Sequence, residues 1–445
     1  MFDTISDTRL ATMWRHWLQK HGDHDTRGLK LCGSRLYHAL GWQPSVCIVN
    51  KVSATTGELQ SQFWGNAHCR SPWSCPHCSP RVMAKKGEDI AAAIDALNAQ
   101  KQSAVMITFT MPHVGNMSCD ETFSIMRDTW QRFTVSGNCR TYKKTHTNKD
   151  GSVSTYVFDG KAAYGQMRKE LGIIHSVKVW EFTWSEKNSW HPHIHALFWI
   201  PDANFNKIVD YEAALNELWH KSVVAAAKAF YKNDEVVDAI FPDWKFERHK
   251  CVTISKNKNG KPRKQNSSNY MSGWTGDREL TGSEKLKMKT ARYEGHYTPA
   301  QLMQRAYDEP ENRDKLLTLY FEYTKATRGR RRVEFSKHGK PNIGKIIRAW
   351  KQSNSYVERV KKKYMAAAVA MEVVCWFNES QWQQICYLER FHGHIIKAEL
   401  LRLAMFANGR KLIEDFLRTN YDIDIRANDD TQITLFENLL GKIPA

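Results

Sequence analysis

The stretch His191-Pro192-His193-Ile194-His195, which runs into the apolar segment 196–200, decides which fold this chain can adopt. The apolar run predicts a β-strand, and successive side chains of a strand point to opposite faces. The three histidines therefore share one face, and two imidazoles at this spacing can reach a single divalent ion. Taken alone, the triplet is equally compatible with half-buried histidines that bond backbone carbonyls.

A second predicted strand precedes the first and supplies a carboxylate. Residues 175–184 alternate in character, and Glu181 falls on the face of two valines, where an unpaired carboxylate would be costly. If residues 185–189 close a hairpin symmetric about Lys187, Glu181 lies opposite His193. The two strands then form a metal site with open coordination positions. A slip of one residue would move Glu181 to the other face.

A cysteine cluster lies nearer the N-terminus. Cys75-Pro-His-Cys78 has the two-residue spacing that surrounds tetrahedral zinc, and Cys69 precedes it by six residues. A redox Cys-x-x-Cys is the alternative, but it favours a β-α-β context and leaves Cys69 without a role. We therefore expect a structural Zn²⁺ site. The fourth ligand is one of four residues, namely Cys32, Cys47, His68 or His77.

Length and charge narrow the class of protein. The 445 residues, with 42% hydrophobic residues and 16 Trp, predict a folded chain of two or three domains. Lys and Arg number 65 against 47 Asp and Glu, and the net charge of +18 favours a polyanionic partner. The sequence has no run of about 18 apolar residues and no signal peptide, so we expect a cytoplasmic protein with free thiols and no membrane partner.

Predicted strands and helices interleave around the antiparallel hairpin, which favours an α+β fold. We predict helices at 81–99, 119–133 and near 209–231, a strand at 104–111, and a hairpin or loop at 139–165. Residues 254–268 are expected to form a flexible basic loop on the DNA side. From residue 356 onward the pattern predicts an almost wholly helical region.

Several segments together resemble a known family. A His-hydrophobe-His pair on a strand with an acidic residue on the neighbouring strand resembles the HUH endonucleases. More closely, Trp190-His-Pro-His-Ile-His-Ala-Leu197 is similar to the second motif of plasmid rolling-circle replication initiators. Met106-Ile-Thr-Phe-Thr-Met-Pro-His113 resembles their first motif, and the cysteines with an upstream Cys32-Gly33 resemble their cysteine cluster. The motif order also agrees, and the resemblance spans roughly residues 30–350.

The resemblance implies a domain plan and a set of zinc ligands. It implies an HUH-type core in which helices flank a central antiparallel sheet. Residues 1–100 would form an N-terminal zinc-binding segment and helix, and residues 101–350 the nuclease domain. Residues 351–445 would form a helical C-terminal region for DNA binding or oligomerisation. The implied structural zinc ligands are Cys32, Cys69, Cys75 and Cys78.

The resemblance also implies a nucleophile and a catalytic ion. In the family, a tyrosine on a helix after the His motif attacks the scissile phosphate, and Tyr270 in Ser268-Asn-Tyr-Met-Ser-Gly-Trp274 occupies the matching position. The family commonly has a Lys three residues later and some members a Glu four residues earlier, where this chain has Gly273 and Asn266. Tyr323 is the reserve candidate. Glu181, His193 and His195 would hold Mg²⁺ or Mn²⁺.

The implied activity is the nicking of one strand of origin DNA, which leaves a 5′-phosphotyrosine link and a 3′-OH primer for rolling-circle replication. The partners would be a replication origin with a single-stranded or hairpin nick site, and host helicase and polymerase. A basic run supplies expected phosphate contacts at Arg328, Arg330, Arg331 and Arg332, although such a run can also be a solvated face. Two alternatives stay open: an HUH single-tyrosine transposase, and a zinc-containing DNA-binding regulator without catalysis.

Overall fold

The computed structural model describes residues 4–36, 46–52, 59–112, 117–135, 142–147, 152–158, 163–242, 250–265, 295–337, 339, 341–353 and 372–426. Its α-helices are α1 (Thr4–His21), α2 (Arg27–Lys30), α3 (Cys78–Asn98), α4 (Cys119–Val135), α5 (Ala163–Leu171), α6 (Glu212–Tyr231), α7 (Asp234–Ile240), α8 (Pro299–Asp308), α9 (Arg313–Thr327), α10 (Ile343–Gln352), α11 (Glu379–His392), α12 (Ile396–Leu403) and α13 (Gly409–Tyr421). Short 3₁₀ helices cover His24–Thr26, Asp202–Tyr211 and Pro310–Asn312.

The strands are β1 (Arg35–Leu36), β2 (Val46–Val52), β3 (Leu59–Trp64), β4 (Asn66–Ala67), β5 (Gln102–Phe109), β6 (Tyr142–Thr147), β7 (Val153–Phe158), β8 (Ser176–Ser185), β9 (Ser189–Pro201), β10 (Val252–Ile254), β11 (His296–Tyr297), β12 (Val333–Phe335) and β13 (Glu372–Phe377). All pairings between these strands are antiparallel. The protein is therefore a mixed α and β structure built on antiparallel sheets, as the sequence predicts.

The chain divides into two compact units. One comprises Met1–Val82, Met303–Leu317 and Gln352–Ala445, and the other comprises Met83–Leu302 and Thr318–Lys351. Segments from both ends of the chain thus belong to the same unit. None of the helices in the described ranges is long and apolar enough to cross a membrane.

The second unit is built around a six-stranded sheet. Its strand order is β10-β5-β9-β8-β11, and β12 also pairs with β8. One face of this sheet packs against aromatic side chains. The Phe109 ring lies 5.3 Å from the Phe133 ring and 4.9 Å from the Trp219 ring, which come from α4 and α6. Phe123 of α4 contacts Trp180 in the same way, with ring centroids 4.7 Å apart. These aromatic side chains form a core on one face of the sheet. The three histidines of β9 lie on the opposite face.

The first unit contains a three-stranded sheet of order β13-β2-β3. Its core joins β2 and β13 to helices α11, α12 and α13 through Val46, Ile48, Phe377, Trp382, Leu400 and Leu417. The prediction that the chain is almost wholly helical from residue 356 is wrong at β13. Residues 373–377 are β-branched, aromatic or Cys and alternate in burial, and they pair with β2, which outweighs the helical pattern around them.

The basic segment after β10 differs from the open loop that the sequence predicts. The backbone N–H of Asn257 donates to the Lys261 carbonyl at 2.8 Å, and the backbone N–H of Arg263 donates to the Ser255 carbonyl at 2.8 Å. The chain then runs beside β5, where Gln265 pairs with Ala104. Residues 255–265 therefore form a hydrogen-bonded turn, and residues 266–268 of the predicted loop lie outside the described residues.

Candidate metal centres

The long hairpin of β8 and β9 has the register that the sequence predicts. Ser185 pairs with Ser189 at the turn, and Glu181 pairs with His193. Ser189 has a φ of 57°, which lets the chain reverse tightly. Because directly opposed residues share a face, Glu181 lies on the histidine face. The backbone register thus places Glu181 beside the histidines, as the predicted hairpin requires.

A hydrogen-bonded trio lies at the centre of this face. His195 Nε2 lies 2.7 Å from Glu181 Oε2, and both residues are buried, at 8% and 9% exposure. On its other side, His195 Nδ1 lies 3.0 Å from the Thr108 hydroxyl oxygen. Thr108 pairs with His195 across β5 and β9. Both ring nitrogens of His195 are therefore engaged, and its orientation is fixed from two strands.

The other histidines extend this row toward the hairpin turn. The rings of His193 and His195 lie 6.2 Å apart and nearly parallel, and those of His191 and His193 lie 4.2 Å apart. His191 and His193 are half-buried, whereas His195 is buried. A carboxylate and imidazoles from adjacent strands are a ligand set for a divalent cation. A metal held here would replace the direct bond between Glu181 and His195.

The expected nucleophile, Tyr270, lies outside the described residues. Gln265, five residues before it, is buried, and its backbone N–H donates to the Ala104 carbonyl at 2.9 Å. The reserve candidate, Tyr323, packs on the aromatic face instead. Its ring lies 5.7 Å from Trp190 and 5.5 Å from Phe182, and burial raises its pKa far above the ordinary value. Tyr323 therefore does not share a face with the histidines.

The four expected zinc ligands converge in the first unit. The Sγ atoms of Cys32, Cys69, Cys75 and Cys78 all lie within 4.8 Å of one another. Cys32 Sγ lies 3.6 Å from Cys75 Sγ and 3.5 Å from Cys78 Sγ. A tetrahedral site with Zn–S bonds of about 2.3 Å has S–S edges of about 3.8 Å. The cluster therefore fits a metal ion such as zinc. Among the described residues, it is the group of Cys, His, Asp or Glu side chains whose ligand atoms all lie this close together.

The alternative fourth ligands lie elsewhere or act beside the cluster. Cys47 is buried in β2 against Val49 and Val373, and burial raises its pKa to about 12. His68 Nδ1 lies 3.8 Å from Cys32 Sγ. Burial lowers the pKa of His68, but hydrogen bonds to the Cys32 and Cys78 thiolates outweigh it and raise the pKa to about 9. His68 thus lies beside the thiol cluster, and Cys32 completes the group of four.

The four expected DNA-contacting arginines have different surroundings. Arg328 and Arg331 are exposed after α9, and Arg332 is half-buried. Arg330 forms an ion pair with Asp120 at 2.9 Å, and its guanidinium lies 4.4 Å from the Phe123 ring. Arg328 and Arg331 are thus the most exposed of the four side chains, whereas Arg330 is held against Asp120 and Phe123.

Sequence reasoning missed Thr108. The residue lies in the segment Met106–His113, which the sequence treats as a core strand, and its role depends on the pairing of β5 with β9. A threonine that faces a histidine row can be recognised only once that pairing is known.

Two curated proteins are similar to this chain. One is "Protein rep" of Streptomyces lividans, which is 24% identical over 318 residues, covering 66% of this chain and 67% of that protein. The other is "Neomycin resistance protein" of Streptomyces cyanogenus, which is 26% identical over 155 residues. That match covers 33% of each chain, so this protein spans about a third of the second relative. No family model and no solved structure matches the chain.

Proposed function

We propose that the protein acts in plasmid replication as a metal-dependent nickase that starts rolling-circle synthesis at an origin. The observation that carries this proposal is the shared face of Glu181, His193 and His195 on one hairpin. The relative named "Protein rep", whose match covers 66% of this chain, supports a role connected with replication. A net charge of +18 suits DNA as the partner.

The proposed reaction assigns a task to each group. Tyr270 Oη loses its proton and forms a bond to the phosphorus, and the bond between the phosphorus and the 3′ oxygen of the preceding nucleotide breaks. The leaving 3′ oxygen takes up one proton, so a 5′-phosphotyrosine and a 3′-OH result. A Mg²⁺ or Mn²⁺ ion, when bound, supplies Lewis-acid stabilisation of the phosphate oxygens. Glu181, His193 and His195 would hold that ion, and Thr108 would orient His195. A phenol with a pKa near 10 is about 0.1% ionised at neutral pH, so such help is needed.

The length of the chain permits Tyr270 to serve this site. Gln265 pairs with Ala104, which lies four residues, or about 14 Å, along β5 from Thr108. Five further residues from Gln265 to Tyr270 span up to roughly 17 Å when extended. The tether is therefore long enough for the phenol to approach the histidine face.

The four-cysteine cluster would have a structural task. With four protein ligands, a zinc ion has no open position for a substrate, and closed sites of this kind stabilise loops. The cluster also lies in a different unit from the histidines. We therefore assign zinc to folding of the N-terminal segment and the divalent ion of the hairpin to catalysis.

Nicking of supercoiled DNA that carries the cognate origin tests the proposal. We expect open circles with Mg²⁺ or Mn²⁺ and none with a chelator.

His193→Ala and His195→Ala should lose nicking and keep origin binding, whereas a control His220→Ala on α6 should nick normally. A regulator would shift the DNA without relaxing it, and a transposase would cut element ends instead of an origin. Normal nicking by both histidine variants would contradict the metal site.

A further inference from the structure

The end of α11 and the turn after it carry an exposed aromatic surface. Tyr387, Phe391 and Ile395 are 51%, 41% and 41% exposed, which is unusual for large hydrophobic side chains. Tyr387 and Phe391 are one helical turn apart, and their ring centroids are separated by 4.8 Å. We call the surface formed by residues 387–395 the aromatic ledge.

Two imidazole rings extend the ledge, one at the last residue of α11 and one just after the helix. The ring of His392 lies 5.6 Å from that of Tyr387 and 6.1 Å from that of His394. The guanidinium of Arg390 lies 5.0 Å from the Phe391 ring, within cation–π distance. Exposed aromatic rings beside an arginine form a stacking surface of the kind that takes up unpaired bases.

The charge of the ledge is one-sided. Its single acidic residue is Glu389, which is only 1% exposed. The Glu389 carboxylate turns inward and forms ion pairs with Arg15 at 3.5 Å and Lys397 at 3.2 Å. The outward side chains are therefore aromatic, basic or neutral. A negatively charged backbone would meet no carboxylate from the ledge itself.

A cavity of about 360 Å³ adjoins the ledge within the same unit, and Gly393 and Ile395 line both. Lys20 and Arg313 contribute positive charge to its lining. Asp314 also lines the cavity, and it accepts a hydrogen bond from Trp17 Nε1 at 3.2 Å. Two cationic side chains and one carboxylate thus line the cavity that adjoins the end of the ledge.

We propose that the aromatic ledge binds single-stranded DNA by base stacking. The proposal rests on the proposed function, because nicking at an origin exposes unpaired DNA. Charge complementarity favours nucleic acid over a protein partner, since the Arg390 guanidinium lies beside the exposed Phe391 ring and the one carboxylate of the ledge is turned inward. Stacking is indifferent to base identity, so the ledge would hold the strand without reading its sequence.

The test is the affinity of the full-length protein for a fluorescein-labelled oligothymidylate, measured by anisotropy. Removal of one stacking ring weakens such binding about tenfold, so the double variant Tyr387→Ala/Phe391→Ala should bind at least tenfold more weakly. The control is Phe406→Ala. Phe406 is also 51% exposed, but the arginine over its ring, Arg402, is paired with Glu399. The control should bind like the wild type.

Further measurements separate this inference from the nickase proposal. His193→Ala should bind the oligonucleotide normally, and the ledge variant should still nick a short single-stranded site at saturating concentration. If the wild type never nicks but the ledge variant loses affinity, the nickase proposal fails and the ledge stands. Equal affinities of the ledge variant and the wild type, with matching melting temperatures, would overturn the ledge. If the ledge variant lost self-association but kept the DNA affinity of the wild type, the ledge would be a protein interface. That result would also overturn the proposal that the ledge binds DNA.

Discussion

At the scale of single residues, Thr108 is the most direct test of the hairpin site. Its hydroxyl lies 3.0 Å from His195 Nδ1, so it sets which ring nitrogen faces Glu181. Loss of such a partner typically weakens metal binding about 10–100-fold. We expect Thr108→Val to bind Mn²⁺ that much more weakly in calorimetry, and Thr108→Ser to bind normally.

A matched control lies two residues away. The Thr110 hydroxyl bonds the Cys251 carbonyl instead of a histidine, so Thr110→Val should bind Mn²⁺ like the wild type. If Thr108→Val also kept full Mn²⁺ affinity, Thr108 would have no part in positioning His195.

The two candidate tyrosines give opposite predictions. Tyr323 is 2% exposed and packs on Trp190, on the face away from the histidines. Burial raises the pKa of its phenol, which disfavours the ionised nucleophile further. Tyr323→Phe should therefore nick origin DNA at close to the wild-type rate in a gel assay. If the Tyr323→Phe variant were stably folded but did not nick DNA, Tyr323 rather than Tyr270 would be the candidate nucleophile.

At the scale of elements, the hairpin shows what local sequence can determine. The alternation of side chains along β8 and β9 has a period of two, and a short turn leaves few registers that keep both apolar faces together. The position of Glu181 opposite His193 could be predicted for this reason. The convergence of Cys69, Cys75 and Cys78 could be predicted equally well. Ligands of a structural zinc site recur at short, characteristic separations, which are visible within a short segment of sequence.

Strand β13 shows where local sequence fails. Its partner β2 lies more than 300 residues earlier in the chain, and the helical residues that follow β13 dominate any window that contains it. Pairing over such a separation depends on tertiary packing, which outweighs local propensity. Thr108 escaped prediction for a related reason, because its importance depends on a pairing with β9 across about 90 intervening residues.

The C-terminal helices and the cysteine loop share a buried ionic network. Lys397 Nζ lies 3.2 Å from Glu389 Oε2 and donates to the Gly33 carbonyl at 3.4 Å. Arg15 also contacts Glu389 and donates to the Cys32 carbonyl at 3.1 Å. The network therefore holds the backbone around Cys32, a member of the four-cysteine cluster, in position from α1 and α12.

Removing one member of this network should be costly. Removing one partner from a buried ion pair costs about 3–5 kcal/mol, and Glu389 would keep only the more distant Arg15, at 3.5 Å, as a cationic partner. We expect Lys397→Met to lower the melting temperature and to release zinc faster to a chromogenic chelator. Lys411→Met, at an exposed position of α13, should change neither measurement. A Lys397→Met variant with wild-type stability and zinc retention would show that the network does not support the loop.

At the scale of the whole molecule, the two candidate metal sites belong to different units. The cysteine cluster lies in the unit that contains both ends of the chain, and the histidine face lies in the other. The sequence suggested three successive segments, at 1–100, 101–350 and 351–445. The division into units follows long-range pairing such as that of β13 with β2, which the linear order of the chain does not reveal.

The most direct test of the central claim is to locate the covalent link between protein and DNA. Wild-type protein is incubated with a labelled origin oligonucleotide and Mn²⁺, digested, and analysed by mass spectrometry. We predict an adduct on the peptide that contains Asn269-Tyr270-Met271, and no adduct from Tyr270→Phe or His193→Ala protein. An adduct on a peptide that contains Tyr320 or Tyr323, or efficient cleavage without any adduct, would contradict the claim that Tyr270 serves the histidine site.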